Sequence, residues 1–582
     1  HVFTKFVVSA GLGLIPGQLE KTDTPAKADM EGFSEKLFCC RWVRHRVPLA
    51  HREELYHILK MTGPLLLSRI LNYLLPFVVT MFCGRLGNEV MAGYGLASAT
   101  INITTAATGY GLALACDTLV SQTFGGKNLL WVGVILQQGI IILLLFCLPC
   151  WALLINAQAV LLCLGQDPEV ARIAQLYITG FLPAVPVMVI TLPRLCTQGI
   201  ILPQMYTAAM ANIANMMTNY IFLYWLDLGV SGSAAANTLS QIYICTFLFA
   251  YIWWKKLHVK TWGGWSVESL QEWGSYMKLA IPSTLMKCFE WWVYEFGGFV
   301  AGMLSEDELA AQHAMMMVAL ITYMFPLGIQ AAACARVGNA LGAGDTAKAI
   351  LTSKMSLALA GQLYTCSFVL AYINISIFDF FKMFTAPLFQ CVCTGIFLGT
   401  GKQKIPVVAN FIGYYCIGLS LSVTLTFVAK LRILGFWLGL LVCVILQSTF
   451  YIIVIFNLNW ERMTEEVNMA SEFGFTETNC ASKNYLLHAV EGYMSFDIAE
   501  RHDGKMETQW GHVVQQLKGC RLSTTQLILR RGLTMFAAVA LLAVGASVHL
   551  LVPLPETLPS EANFTLDWIN TTYTPDQILP LC

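Results

Sequence analysis

Leu285-Met-Lys-Cys-Phe-Glu-Trp-Trp-Val-Tyr-Glu-Phe-Gly-Gly298 lies inside an apolar run, Leu279 to Leu304, long enough to cross a bilayer. Yet it holds two carboxylates, Glu290 and Glu295, one lysine, Lys287, and three large aromatics, Trp291, Trp292 and Tyr294. At helical pitch Glu290 shares a face with Tyr294, and Trp291 with Glu295. A carboxylate at membrane depth needs a partner, a proton or a watery cavity, because leaving it bare costs a few kcal/mol. Desolvation favours the neutral form of a carboxyl group, so such a group can carry a proton. Aromatic faces beside it attract organic cations, each contact contributing about 0.5–2 kcal/mol. Two readings follow. Either a proton site and a cation site share this helix, or Lys287 and Glu290 form a buried pair with the aromatics filling helix contacts.

Composition points the same way as the stretch. Charged residues are 12% of 582 and hydrophobic ones 56%, with mean hydropathy +0.61, where soluble domains carry about 25% charge. The formal net charge is zero, so nothing in the balance suggests a nucleic-acid partner. Most of the 19 cysteines sit in apolar runs, as Cys147, Cys150, Cys245, Cys393 and Cys443 do, and read as reduced small apolar residues.

Working outward along the chain, apolar runs of span length occur near 62–83, 90–115, 132–155, 173–196, 203–226 and 229–254. A second set lies near 279–304, 309–334, 349–374, 376–400, 405–429 and 433–456, and a last one at 532–554. Lys36, Arg41, Arg44, Arg46, Arg52 and Lys60 crowd the first span and place the N-terminus in the cytoplasm. Beyond the last span, Asn563-Phe-Thr565 and Asn570-Thr-Thr572 are glycosylation acceptors that make sense only outside the cell. Inside start and outside end require an odd number of crossings, and thirteen fits. The expected organisation is a cytoplasmic segment 1–60, a six-helix bundle 61–254, a cytoplasmic connection 255–278 and a second bundle 279–457. A flexible cytoplasmic loop 458–531, a thirteenth span 532–554 and an extracellular tail 555–582 complete it.

The two bundles repeat one another. Lys60-Met-Thr-Gly-Pro64 returns 218 residues later as Lys278-Leu-Ala-Ile-Pro282, and Ala115-Cys116 returns as Ala333-Cys334. Six spans separate the copies, so they run the same way through the membrane, with a site expected near mid-membrane. Between Ile201-Leu-Pro203 and Lys404-Ile-Pro406 the offset is 203, so the second copy lacks about 15 residues, and its tenth helix, 376–400, is expected to be short or broken.

Several motifs bear a family likeness: Ala115-Cys-Asp-Thr-Leu-Val-Ser-Gln-Thr123, Gln198-Gly-Ile-Ile-Leu-Pro203, Thr261-Trp-Gly-Gly-Trp-Ser266, Glu290-Trp-Trp-Val-Tyr-Glu295, Arg336-Val-Gly-Asn-Ala-Leu-Gly-Ala-Gly344 and Gln526-Leu-Ile-Leu-Arg-Arg-Gly532. With these the chain resembles the multidrug and toxin extrusion (MATE) family, vertebrate type, over about residues 50–457 and the last span. The resemblance implies an all-α polytopic membrane protein that exports organic cations in exchange for protons by alternating access. It places Glu290 and Glu295 on the family's seventh-helix glutamates. Met316, Met317, Phe389 and Gln390 depart from the vertebrate pattern, and Arg69 and Lys287 stand where neutral residues are usual.

Further site candidates are weaker. Trp291, Trp292, Tyr294 and Tyr323 are aromatics positioned to bind a cation, or simply to pack. Asn72, Asn102, Asn212 and Asn215 line the first bundle's cavity or bond helix to helix, and Asp117 acts as a gate or caps a helix end. No metal cluster or cofactor is expected, protons being the coupling ion. The remaining expectations are a monomer in the plasma membrane, surrounded by lipid. The competing classes are a lipid-linked precursor flippase, a membrane-embedded enzyme, for which no nucleophile motif is found, and a transport-impaired copy of the same fold.

Overall fold

The computed structural model describes residues 48–191, 202–256, 259, 261–271, 273–304, 306–373, 387–468 and 524–553. Among them no strand occurs. In order the helices are α1 (Leu49–Leu86), α2 (Asn88–Ile101), α3 (Ala107–Gly125), α4 (Leu129–Ile155), α5 (Ala157–Cys163), α6 (Pro168–Phe181), α7 (Ala184–Thr191), α8 (Leu202–Tyr220) and α9 (Gly229–Trp254). Then come α10 (Trp273–Leu304), α11 (Glu306–Gly342), α12 (Thr346–Ile373), α13 (Pro387–Thr400), α14 (Lys404–Asn410), α15 (Ser420–Val423), α16 (Arg432–Phe456) and α17 (Thr524–Leu551). A π-helical segment, Asn102–Ala106, joins α2 to α3 without a break, and others continue α8 and link α14 to α15.

Local chemistry sets several boundaries. Asn128 caps α4 by accepting from Trp131 N at 3.2 Å, and Asp167 caps α6 by accepting from Glu169 N at 2.9 Å, with Pro168 in the first turn. Six of the described helical runs are long and apolar enough to cross a membrane: α1, α4, α9, Lys404–Val428, α16 and α17. The outward side chains agree, since Phe77, Met81, Ile213, Met217, Trp225 and Phe536 are all exposed. The helix α10 is not among the six, because Lys278, Lys287, Glu290 and Glu295 lower its hydropathy.

Two parts of the segment read as a flexible loop, 458–531, are helical. Residues 460–468 form a helix whose Met463, Thr464 and Val467 are buried, Met463 and Val467 at the spacing of one apolar stripe. Val467 packs on Val337, Leu341 and Ala349, with Trp460 beside it. Further on, α17 covers Thr524–Leu551, so residues 524–531 of the expected loop are helical, and Arg531 is held inward, over the Trp273 ring at 4.0 Å and bonded to Leu270 O at 2.7 Å. Likewise α10 begins at Trp273, inside the stretch read as a connection. The described part of the expected tenth helix is α13, 14 residues of which only Pro387 and Phe389 escape full burial. Residues 376–386 of that expected helix lie outside the described residues.

The halves meet along α3, which lies against α10, α11 and α13. A Cβ on Gly342 would collide with the Gln122 carbonyl, and one on Gly125 with the Asn339 carbonyl. Side-chain bonds reinforce the same end: Gln122 Nε2 donates to Gly399 O at 2.9 Å, and Gln403 Nε2 to Thr118 Oγ1 at 2.9 Å. The helix α1 crosses over, burying Ile58 and Leu65 against Ile329, Ala332 and Ile396.

Candidate functional site

Glu290 stands about midway along α10, 7% exposed, with both oxygens engaged. Lys287 Nζ, one turn back on the same helix, donates to Oε2 at 2.8 Å. Tyr323 OH, from α11, donates to Oε1 at 2.5 Å. The buried pair that the sequence offered as one of two readings is therefore present, and Tyr323 completes it from a second helix. Charge-assisted bonds of this kind are about twice as strong as neutral ones.

Around this carboxylate the aromatics divide by face. Trp291 is half-buried and stacks on Tyr110 of α3, ring centres 6.0 Å apart and planes at 17°. Trp292 is exposed and donates its Nε1 to Ile103 O at 3.3 Å. Tyr294 turns the other way, 6.1 Å from the Trp437 ring, while Trp437 Nε1 donates to Gln312 Oε1 at 2.7 Å. Three aromatic positions within one turn of α10 thus serve two contacts to the first half and one to the second. Glu295 is half-buried and forms no hydrogen bond or ion pair with the described residues.

Tyr110 is the residue that sequence reasoning missed. Its ring faces two cations, Arg69 at 5.7 Å and Lys287 at 6.0 Å, as well as Trp291. Its signal was a single bulky side chain among small ones in Thr104-Thr-Ala-Ala-Thr-Gly-Tyr-Gly111. Gln390, one of the departures noted above, is buried and exchanges hydrogen bonds with Tyr414 OH at 2.7 and 3.1 Å. Met316 packs on the cluster that holds Tyr414 and Trp437.

The other candidates are not drawn into this cluster. Asn72 is half-buried, and Asn102 is exposed at the start of the π segment. Asn212 bonds to Leu71 O at 2.7 Å and Asn215 to Asn219, so these two join helix to helix or turn to turn. Asp117 lies on α3 within electrostatic reach of Arg69, its Oδ1 buried with no hydrogen-bond partner among the described residues. The acceptors Asn563 and Asn570 lie outside the described residues.

Comparison with known proteins gives one answer. The MatE family model matches residues 64–221 and 282–387. Multidrug and toxin extrusion protein 1 of Danio rerio is 43% identical over 545 residues, 87% of this chain and 92% of its own length. The protein of the same name from Homo sapiens is 39% identical, over 86% and 94%. The crystal structure of the eukaryotic MATE transporter AtDTX14 shares the fold, with TM-score 0.65 and 23% identity, covering 72% of this chain and all of that one. With relatives that are extrusion transporters over most of its length, and helical with an apolar surface among the described residues, the molecule is a multi-pass membrane transporter and not an enzyme. The chain belongs to the multidrug and toxin extrusion family.

Proposed function

We propose that the chain exports organic cations in exchange for protons, by alternating access, with Glu290 as the carboxylate at which cation and proton compete. The observation that carries this is a buried carboxylate beside an aromatic stack built from both halves of the molecule, Tyr110 on α3 and Trp291 on α10. The names of the relatives support drug and organic-cation cargo. Small-residue contacts close the halves together at the end bearing the 126–128 and 343–345 connections. An exchanger must open such a seam and close another, which is the rocking expected of paired bundles.

The rest of the reading follows from the sequence: two parallel six-helix bundles and a thirteenth helix, in the plasma membrane as a monomer among lipids. The N-terminus lies in the cytoplasm and the tail outside, glycosylated at Asn563 and Asn570. Glu295, Trp292, Tyr294 and Tyr323 support the site, and Asn72, Asn102 and Asp117 line the path from the first half. Protons are the coupling ion, and no cofactor takes part.

The test is uptake of a fluorescent organic cation into acid-loaded vesicles holding the full chain. Wild type should accumulate it until a proton ionophore is added. Glu290→Gln, compared at equal amounts of folded protein, should not exceed protein-free vesicles. Uptake near wild type in that variant would remove Glu290 from the mechanism.

A further inference from the structure

Lys287 is 1% exposed, yet no second carboxylate binds it among the described residues. Its Nζ lies 2.8 Å from Glu290 Oε2 and 6.0 Å from the centre of the Tyr110 ring, which stacks on Trp291. A carboxylate on one side and an aromatic face on the other is the arrangement that recognises an ammonium group. Here the chain's own ammonium sits in it.

The geometry points to Lys287 as a resident cation: it fills the cation position of Glu290, and a cargo cation binds by displacing it. This inference rests on the reading of Glu290 as the cation-facing carboxylate, and makes Lys287 the residue that sets which cations are accepted. A cation entering beside an intact Lys287–Glu290 pair meets no net negative charge. Cargo therefore has to bring more than a point charge to win the site. An aromatic cation does so, because it stacks on Tyr110 and Trp291 where a lysine stem cannot. The four-carbon stem of Lys287 leaves its ammonium able to swing away from Glu290 once the position is taken.

The experiment is equilibrium binding of benzyltrimethylammonium, an aromatic cation of fixed charge, to the purified full chain in lipid nanodiscs. Lys287→Met keeps the length of the stem and removes the charge; it should bind the probe at least ~10-fold more tightly than wild type, since one competing buried ionic contact is gone. Lys287→Gln, which retains a hydrogen bond to Glu290, should move the same way, and decides the matter if the Met variant does not fold. Adding Glu290→Gln to Lys287→Met should erase the gain. The uncharged carbon isostere of the probe should show no gain in any variant.

Wild type supplies a measurement free of substitution. Saturating probe should raise labelling of Lys287 by an amine-reactive reagent, read by mass spectrometry. Unchanged or weaker binding in both Lys287 variants overturns the proposal. So does a gain that survives loss of Glu290, a gain shared by the neutral isostere, or labelling of Lys287 indifferent to the probe. None of these readouts uses a proton gradient. A chain that bound as expected but failed gradient-driven uptake would lose the antiport reading and keep this one.

Discussion

Lys287 and Glu290 are three residues apart on α10, so helical spacing alone brings them together, and their pairing was legible in the sequence as one of two readings. What spacing does not give is the third member. Tyr323 lies on another helix, 33 residues on, and its bond to Glu290 Oε1 depends on how α11 is rotated against α10. Tyr110 was missed for the same reason: the stack with Trp291 crosses from one half to the other. The shell decides how a substitution at Glu290 behaves. In Glu290→Gln the ammonium of Lys287 is left buried beside a neutral amide. Breaking a buried pair on one side costs about 3–5 kcal/mol, whereas replacing both partners by groups of similar size is often neutral. Glu290→Gln should therefore melt well below wild type, while Lys287→Met with Glu290→Gln should recover most of the loss and still not transport. Differential scanning fluorimetry in nanodiscs separates the two effects; equal melting of the single and double variants would mean that Lys287 finds another partner.

At the level of elements, long apolar runs read easily because membrane-facing helices are apolar around much of their surface. The expected span 229–254 coincides with α9, and 433–456 differs from α16 by one residue. The short helix 460–468 did not read, because its buried positions are scattered among Asn459, Glu461, Arg462, Glu465 and Glu466, a composition taken for loop. Nor did spacing suggest that the start of α1 is tied across the molecule. Glu54, 4% exposed, accepts from Arg336 Nε and Nη2 at 2.5 Å each and from Thr352 Oγ1 at 2.7 Å, joining α1 to α11 and α12. The bidentate fork suits arginine alone. Glu54→Gln strands that guanidinium, which is itself only 16% exposed, and should cost about 3 kcal/mol. Arg336→Lys should recover little of the pairing when judged the same way, as it offers one donor direction instead of a fork. Thermal unfolding within a degree of wild type for Glu54→Gln would show that the network holds nothing together.

At the scale of the whole molecule, the repeat of motifs at an offset of 218 suggested two matching halves, but not where they touch. The contact surface is written in single glycines, and a glycine in an apolar run is ambiguous by sequence, since it serves a kink, a cap or a close approach equally well. Among the glycines that the structure uses for close approach, two meet backbone carbonyls where α3 meets α11: Gly342 that of Gln122 and Gly125 that of Asn339. Backbone that close cannot yield as a flexible side-chain tip does, so a larger residue must push the helices apart. Gly342→Leu is thus expected to hold this end of the seam open without touching Glu290 or Tyr110. Spin labels at Lys127 and Asp345, in the turns flanking the seam, should report a longer distance than in the wild-type background. If transport proceeds by opening and closing that seam, gradient-driven uptake should fall at least ~10-fold, while equilibrium binding of a cation at the central cluster persists, because the two sites are separate and their effects need not couple. Uptake close to wild type together with a lengthened distance would mean that exchange does not require this seam to close. An unchanged distance would mean that the helices repack around the leucine, and that the close approach is a detail of this conformation and no part of the cycle.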